Sequence, residues 1–465
     1  MTGKVPAPRA SIVTVAVTAA AAAAIEWYDF FIYGTAAALV FPAQFFPVDL
    51  PPLVAQIAAF STFAVGFIVR PLGGVVFGHL GDVFGRKRAL SGALLLMGFA
   101  TTGIGLLPGY AQVGVAAPLA LVALRFAQGL AVGGQWGGAA LMAIESAPSG
   151  RRGFYGSFVQ IGVPVGLVLA NVVFLLVGKS LAPQAFLTWG WRLPFLLSVV
   201  LVPIGGYVRR HLVEPGEFET VGAAVAGAVQ GPPLARVLRD HLGDVLLAGG
   251  AFVANNTCFY MAITYVVAYG TATLGIAKET LLAAVMLASA LMLPVLIICG
   301  GVSDKFGRRG IFMIGAVLAG LWAFALFPLI ETASPVLITL AIVVEMLFLS
   351  LMYGPQAALF AELFPVEVRY SGASLGYQIG SVVGGGFAPI IATALFAHFQ
   401  STVPISVYLS AMCAVSFLSV LALGRRAGGR RAGARGPRAT VGQAQGPAGD
   451  GPPLRQASRR NRSAG

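Results

Sequence analysis

The chain of 465 residues is 57% hydrophobic and 10% charged, and its mean hydropathy is +0.85. Soluble domains carry about 25% charged residues, so this composition excludes a chain of soluble domains and indicates a protein hidden in lipid. The net charge of +13 does not indicate nucleic-acid binding, because ten of the 30 Lys and Arg residues lie from Arg425 onward and most others lie between apolar runs. That bias is typical of the cytoplasmic side of a membrane protein.

Twelve apolar runs predict an all-α integral membrane protein. Each can cross a bilayer, which takes about 20 helical residues, and none alternates in the manner of a barrel strand. The first run passes through Glu26 and is too long and too polar for a cleaved signal peptide. The runs lie near residues 14–40, 54–78, 91–108, 117–144, 155–178, 189–209, 243–270, 280–300, 311–330, 334–358, 371–397 and 403–424.

The basic residues predict the topology. They concentrate in alternate connecting segments, so we expect both termini on the cytoplasmic side of the cell inner membrane. The expected organisation is a six-helix bundle over 1–210, a cytoplasmic linker over 211–242, a second bundle over 243–424 and a disordered basic tail over 425–465. We expect the protein to be a monomer.

A polar pattern occurs once in each half of the chain. An Asp precedes an Arg by four positions in a short segment between two apolar runs, and farther on a Glu precedes an Arg by seven positions. This repetition predicts two similar six-helix halves, a layout found in transporters. The residues are Asp82, Arg86, Glu145 and Arg152 in the first half and Asp304, Arg308, Glu362 and Arg369 in the second.

These segments carry a family resemblance. Residues 78–88 resemble the loop between spans two and three of the major facilitator superfamily, and residues 26–30, 132–139 and 189–195 are similar to its metabolite:proton symporters. The run 70–88 is most similar to the shikimate-transporter branch, and the likeness extends over about residues 12–424. The resemblance implies two pseudo-symmetric six-helix bundles around a central cavity that helices one and four both face.

Charged residues inside spans are costly and usually face a cavity. Glu26, Asp29 and Tyr33 share one stripe of span one, and Arg125, Gln128, Gln135 and Trp136 share one stripe of span four. The resemblance implies that both stripes face the central cavity. A carboxylate opposite an Arg can alternate between an ion pair and a protonated state, so we predict Glu26 and Asp29 as proton carriers. A static ion pair that braces the bundle is the alternative. Glu345, in the middle of span ten, is expected to face inward as a third proton-coupling group or as a structural one.

The predicted substrate site combines one cation with amides and aromatic rings, which suit hydroxyl- and carboxyl-bearing metabolites. Arg125 is the expected anchor for a substrate carboxylate, whereas Arg70 is expected to reach water at the cytoplasmic end of span two in a structural role. At Gln135 the chain departs from many relatives, which have a carboxylate there. The predicted binding residues are Tyr33, Arg125, Gln128, Gln135, Trp136, Gln160, Asn255, Asn256, Tyr260, Tyr377 and Gln378.

The repeated charges predict a gate at the cytoplasmic mouth. The carboxylates of Asp82 and Asp304 are expected to stabilise the start of the helix that follows each of them. Arg308 is expected to reach Glu362, and Arg86 to reach Glu145, so that both pairs hold the inner side closed. Charges that only fix the topology are the alternative.

Together these patterns predict a proton-coupled symporter that imports a small organic acid, shikimate-like or another carboxylate, by alternating access. Its expected partners are the substrate, protons and the lipid bilayer, with no nucleic acid, no metal and no cofactor beyond the proton gradient. A symporter of zwitterionic osmolytes such as proline or betaine is the alternative in the same class. A membrane-embedded enzyme is disfavoured because the sequence has no nucleophile, metal or cofactor motif, and a channel is disfavoured by the repeat.

Overall fold

The structure, a computed structural model, describes residues 12–84, 86–133, 144, 147–148, 150–200, 203, 237, 239–365 and 368–434. Within these ranges every regular element is a helix. The helices that correspond to the predicted spans are α1 (Ile12–Leu39), α2 (Pro52–Ile68 and Arg70–Phe84), α3 (Arg86–Leu106), α4 (Ala116–Gly133), α5 (Arg152–Ser180), α6 (Arg192–Leu196), α7 (Leu242–Ala272), α8 (Lys278–Phe306), α9 (Arg308–Glu331), α10 (Pro335–Leu363), α11 (Arg369–Ser381 and Ala388–Phe399) and α12 (Val403–Ala434).

Nine helices in the described ranges are long and apolar enough to cross a membrane. They are α2, α4, α5 and α7 to α12. The apolar part of α3, Gly92–Leu106, is shorter, and α6 is described only near its start. Pro71 explains the interruption of α2 at Val69, because proline lacks an N–H group and disturbs the turn before it.

Equivalent helices of the two halves pack in equivalent ways. In the first half α1 packs on α5 and α2 on α4, and in the second α7 packs on α11 and α8 on α10. The halves meet through α5 against α8 and through α2 against α11, again an equivalent pair. This correspondence is the structural form of the repeat predicted from the sequence.

Two of the spans contain a wide π-helical turn near the interface between the halves. Met261–Tyr265 interrupts α7 and Val382–Gly386 interrupts α11. Such turns are frequent at functional sites, because they re-aim side chains and leave backbone groups less regularly paired. Here the turn in α11 lets its glycines pack on Phe67 of α2.

The last helix extends past residue 425, where the C-terminal tail is predicted to start. Helix α12 continues to Ala434, within the stretch expected to be disordered. Extending a formed helix costs little in each added residue, and Arg and Ala in this stretch are good helix formers. Residues 435–465, which complete the predicted disordered tail, lie outside the described residues, as does most of the predicted linker.

Candidate functional site

Two arginines lie in the interior on α2 and α4, which cross at very short range. A Cβ atom on Gly129 would lie 2.6 Å from the carbonyl oxygen of Gly66. Farther along the crossing, Gly133 packs directly against the backbone of Arg70. Because only glycine permits so close an approach, this crossing fixes where the arginine side chains begin.

Arg125 is completely buried in a box of aromatic rings. Its guanidinium carbon lies 4.1 Å from the ring centroid of Tyr33, 4.3 Å from that of Phe30 and 4.9 Å from that of Phe63. Its Nη1 donates a 3.0 Å hydrogen bond to Gln128, whereas Nε and Nη2 have no acceptor among the described residues. Two guanidinium nitrogens are therefore without a partner among the described residues.

Gln128 lies on α4 with Arg125, and it links that arginine to the neighbouring helix α3 rather than lining an open space. Its amide nitrogen donates a 2.8 Å hydrogen bond to the hydroxyl of Thr101 on α3. That hydroxyl in turn donates to the carbonyl of Met97 at 2.8 Å. The chain of hydrogen bonds runs from α3 through Gln128 to the guanidinium, and it fixes the orientation of the cation.

The expectation that Arg70 reaches water is wrong. The side chain is 1% exposed, because α2 continues beyond it to Phe84 and keeps it inside the bundle. Its guanidinium carbon lies 4.3 Å from the ring centroid of Phe67, 4.4 Å from that of Phe30 and 5.7 Å from that of Trp27. Its Nε and Nη2 also have no acceptor in the part of the chain that the structure describes.

A narrow cavity lies between the halves. Of the predicted binding residues, four in the second half line it: Asn255, Asn256, Tyr260 and Tyr377. The hydroxyl of Tyr260 lies beside Arg70, so the cavity and the arginines adjoin. The other lining residues, most of them missed by the sequence reasoning, are Trp27, Val163, Phe252, Phe259, Leu349 and Tyr353.

Asp29 is buried on α1 and is bonded toward α6. Its Oδ1 accepts a 2.5 Å hydrogen bond from the hydroxyl of Ser198. Arg125, the cation expected opposite this carboxylate, is instead hydrogen-bonded to Gln128. The side chain of Glu26, the other predicted proton carrier on this helix, lies outside the described residues.

Glu345 is completely buried in α10, facing inward as expected. The thiol of Cys258 lies beside its carboxyl group, and the sulfur atom of Cys258 is 3.7 Å from that of Cys413. Neither carboxyl oxygen receives an N–H or O–H hydrogen bond from the described residues. Glu345 is therefore a buried acid in apolar surroundings within the second half.

The remaining predicted binding residues have mixed positions. Tyr33 donates a 2.7 Å hydrogen bond to Thr62 and packs under Arg125. Gln160 links the halves through a 3.5 Å hydrogen bond to the carbonyl of Tyr353. Gln378 is buried, and its Oε1 has no donor within the described ranges. Gln135 and Trp136 lie outside the described residues.

Asp304 joins the two halves near the predicted cytoplasmic mouth. It belongs to the last turns of α8, and its carboxylate accepts hydrogen bonds from the backbone N–H groups of Gly153, at 2.8 Å, and Phe154, at 2.9 Å. These are unpaired donors of the first turn of α5, which attract an anion. The expectation that Asp304 favours the helix that follows it is therefore wrong, because its carboxylate caps a helix of the other half.

The predicted contact between Arg308 and Glu362 is present as an ion pair. Arg308 also lies 3.2 Å from Asp304 and donates to the carbonyl of Ala358 at 3.3 Å. This set connects α8, α9 and α10 beside the cap on α5. Of the other predicted gate residues, Arg369 donates to the carbonyl of Phe364 at 3.4 Å and Arg152 begins α5; the side chains of Asp82, Arg86 and Glu145 lie outside the described part.

The opposite end of the bundle has a different contact between the halves. Lys278, at the start of α8, places its Nζ 3.7 Å from the ring centroid of Phe186 in the connection before α6. A wider, more open cleft lies here, with Gln56 and Lys278 among its lining residues. Since α8 has 29 residues, this contact lies about 40 Å from Asp304.

No group of three His, Cys, Asp or Glu residues in the described ranges has the arrangement of a metal site. The buried polar residues instead form a cation-rich, aromatic site that continues into a narrow cavity. Such an arrangement can bind a small polar ligand.

Comparisons with known proteins agree with this arrangement. Residues 19–383 match the family model described as Major Facilitator Superfamily. The chain is 42% identical over 406 residues to the inner membrane metabolite transport protein YhjE of Escherichia coli K12, covering 86% of this chain and 91% of that protein. It is 40% identical over 405 residues to the shikimate transporter of the same strain, covering 87% and 92%.

The chain is also similar to a more distant relative and to a solved structure. The glycine betaine/proline/ectoine/pipecolic acid transporter OusA of Dickeya dadantii is 35% identical over 417 residues, covering 87% of this chain and 82% of that protein. The crystal structure of a D-xylose-proton symporter superposes with a TM-score of 0.68 at 18% identity, covering 89% of this chain and 97% of that one. At that identity the superposition supports the fold alone.

Proposed function

The chain belongs to the major facilitator superfamily, and we propose that it is a proton-coupled symporter that imports a small organic acid by alternating access. It is a multi-pass inner-membrane transporter of metabolites and not an enzyme, as its family and relatives establish. In the proposal both termini are cytoplasmic, the monomer is the working unit, and the proton gradient supplies the driving force.

The observation that carries the proposal is the state of Arg125. Its guanidinium is completely buried, yet Nε and Nη2 have no acceptor among the described residues. Burying a charge without compensating hydrogen bonds costs several kcal/mol, so the site favours a ligand that supplies an anionic oxygen. A carboxylate meets this need best, because its two oxygens match the planar guanidinium fork.

Proton coupling is assigned to buried acids on both sides of the cavity. Asp29 lies one residue from Phe30, whose ring contacts Arg125. Glu345 occupies an apolar site in the second half, where an ionised carboxyl is costly to bury. In the proposed cycle these acids, with Glu26, take up protons from outside as the organic acid binds and release them inside.

Alternating access is assigned to the contacts at the two ends of the bundle. The cap of Asp304 on α5 holds the predicted inner side together. The Lys278–Phe186 contact joins the halves at the other end. In the proposed cycle the two sets of contacts break in turn as the halves rock about the central cavity.

The proposal is tested by reconstituting the full chain in proteoliposomes and measuring uptake of shikimate. An imposed inward proton gradient should drive accumulation, and a protonophore should collapse it. Asp29→Asn should abolish accumulation but retain exchange of internal for external shikimate. Asp49→Asn, the same change at an exposed loop position, is the matched control, and full accumulation in Asp29→Asn would reject the assignment.

A zwitterionic osmolyte is the second candidate substrate. Aromatic rings contribute most of the cavity lining, and aromatic cages bind quaternary ammonium groups through cation–π attraction. A relative at 35% identity is named for glycine betaine and proline. Glycine betaine that outcompetes every carboxylate in the same uptake assay would favour this candidate.

A further inference from the structure

The molecule places two arginine side chains, not one, at the same buried ring. The guanidinium carbon of Arg70 is 4.4 Å from the centroid of Phe30, and that of Arg125 is 4.3 Å from the same centroid. Arg70 comes from α2 and Arg125 from α4, and both are at most 1% exposed. The two positive charges are close enough to repel each other.

The described protein groups compensate these charges only in part. Each guanidinium has ring faces on several sides, a kind of contact that stabilises a cation most when it is desolvated. Burying an ion nevertheless costs several kcal/mol, and neither arginine forms an ion pair with a described carboxylate, the side chain of Glu26 being outside that set. Four nitrogens, Nε and Nη2 of each residue, lack an acceptor among the described residues.

The cavity provides the place from which an acceptor can arrive. Trp27 and Tyr260 line it, and both also contact Arg70. Tyr260 comes from the second half, and its ring centroid lies 5.1 Å from that of Phe67, against which Arg70 packs. A ligand held between the halves therefore lies beside this pair of cations.

We infer that Arg70 and Arg125 together bind a small dicarboxylate, with one carboxylate at each guanidinium. A second carboxylate satisfies donors and charge that a monoacid leaves unpaired, and a zwitterion adds a positive group where two already lie buried. The cavity beside these cations is narrow, so a ligand held there must be small. This inference rests on the proposed function, because it specifies the acid that the symporter carries.

The test is a binding measurement that changes one charge at a time. Purified full-length protein is titrated with succinate and with its monoamide, succinamate, which has nearly the same shape and one carboxylate fewer. Tryptophan fluorescence reports occupancy of the cavity beside Trp27. The variants are Arg70→Gln and Arg125→Gln. Arg239→Gln is the matched control, since that arginine is 88% exposed.

The wild type and Arg239→Gln should bind succinate at least about tenfold more tightly than succinamate, the change expected when one hydrogen bond to a charged group is added. Arg70→Gln should remove that preference by weakening succinate while succinamate is nearly unchanged, and Arg125→Gln should weaken both. If Arg70→Gln does not fold, Arg70→Lys keeps the charge but not the fork, and should reduce the preference in part.

Three results would overturn the inference: equal affinity of the wild type for both probes, equal weakening of both by Arg70→Gln, or tighter binding of glycine betaine than of either. Proton-coupled uptake of monocarboxylates separates this failure from that of the proposed function. If such uptake is present without any preference for succinate, only the dicarboxylate assignment fails. If no carboxylate moves with protons, the proposed function fails as well.

Discussion

Gly66→Ala is a small change that tests whether Arg125 binds the substrate. Gly66 lies on α2 at the point where the guanidinium of Arg125 passes closest to that helix. A Cβ atom there would lie 2.8 Å from Cζ and 3.0 Å from Nη2 of Arg125 and would overlap Nε. Because the aromatic rings of Phe30, Tyr33 and Phe63 enclose the guanidinium, the cation can move only by leaving its present contacts.

The expected change in KM follows from the hydrogen bonds that the displaced guanidinium of Arg125 would lose. The displaced guanidinium no longer presents Nε and Nη2 to a carboxylate in the same geometry, and it strains the hydrogen bond to Gln128. Losing one hydrogen bond to a charged group costs about 1.5–3 kcal/mol, or roughly 10- to 100-fold in affinity. We therefore expect the KM for carboxylate uptake to rise by about tenfold or more in Gly66→Ala.

The assay measures initial uptake rates in proteoliposomes over a range of substrate concentrations. Gly92→Ala is the control, because a Cβ atom at Gly92 would meet nothing within 4 Å. Thr101→Val approaches the same cation from the other side by removing the hydroxyl that holds Gln128, and it should raise KM by a smaller factor. A KM for Gly66→Ala within about twofold of the Gly92→Ala value, in folded protein, would refute the assignment of Arg125.

Three further changes test other parts of the molecule. Asp304→Asn should weaken the cap on α5 by about 1–3 kcal/mol. Thiol labelling of a cysteine introduced at Ser303 should then become faster, and an unchanged labelling rate would contradict a gating role for Asp304. Glu345→Gln keeps the side-chain shape but cannot release a proton, so accumulation driven by a pH gradient should be lost while exchange continues; normal accumulation would make Glu345 structural. Lys278→Met should remove a cation–π contact worth about 0.5–1 kcal/mol and speed opening at that end, seen as faster exchange; a slower rate would contradict a gating role for Lys278.

Hydropathy was sufficient to predict where the helices lie. The predicted run 280–300 lies within α8 (Lys278–Phe306), and the run 334–358 nearly coincides with α10 (Pro335–Leu363). A long apolar run indicates a segment that can lie in lipid, where the backbone must form its hydrogen bonds within a helix. This is a local property of the chain. The extended ends, such as residues 301–306, are polar helical turns that hydropathy does not detect.

The position of Arg70 could not be predicted in this way. An Arg near the end of an apolar run is typical of a residue that reaches the membrane surface. Here the helix continues through a moderately polar segment to Phe84, which leaves Arg70 deep in the bundle. Pro71 and the small residues after it were the available signal, because they mark a bend and a close helix crossing.

Most contacts between the halves could not be predicted from the sequence either. The spacing of Arg308 and Glu362 was enough to predict their ion pair, since both residues flank adjoining spans. The cap of Asp304 on Gly153 and Phe154 joins positions about 150 residues apart. Only the packing of α5 against α8 brings that helix start to the carboxylate, and no local pattern encodes it.

The most direct test of the account is whether the organic acid and the proton cross the membrane together. Proteoliposomes with an entrapped pH dye receive external carboxylate in the absence of any imposed pH gradient, and protein-free liposomes correct for passive entry of the uncharged acid. We expect protein-dependent acidification of the lumen that saturates with substrate and is lost in Asp29→Asn. Saturable uptake of the acid with no change in lumenal pH would contradict it.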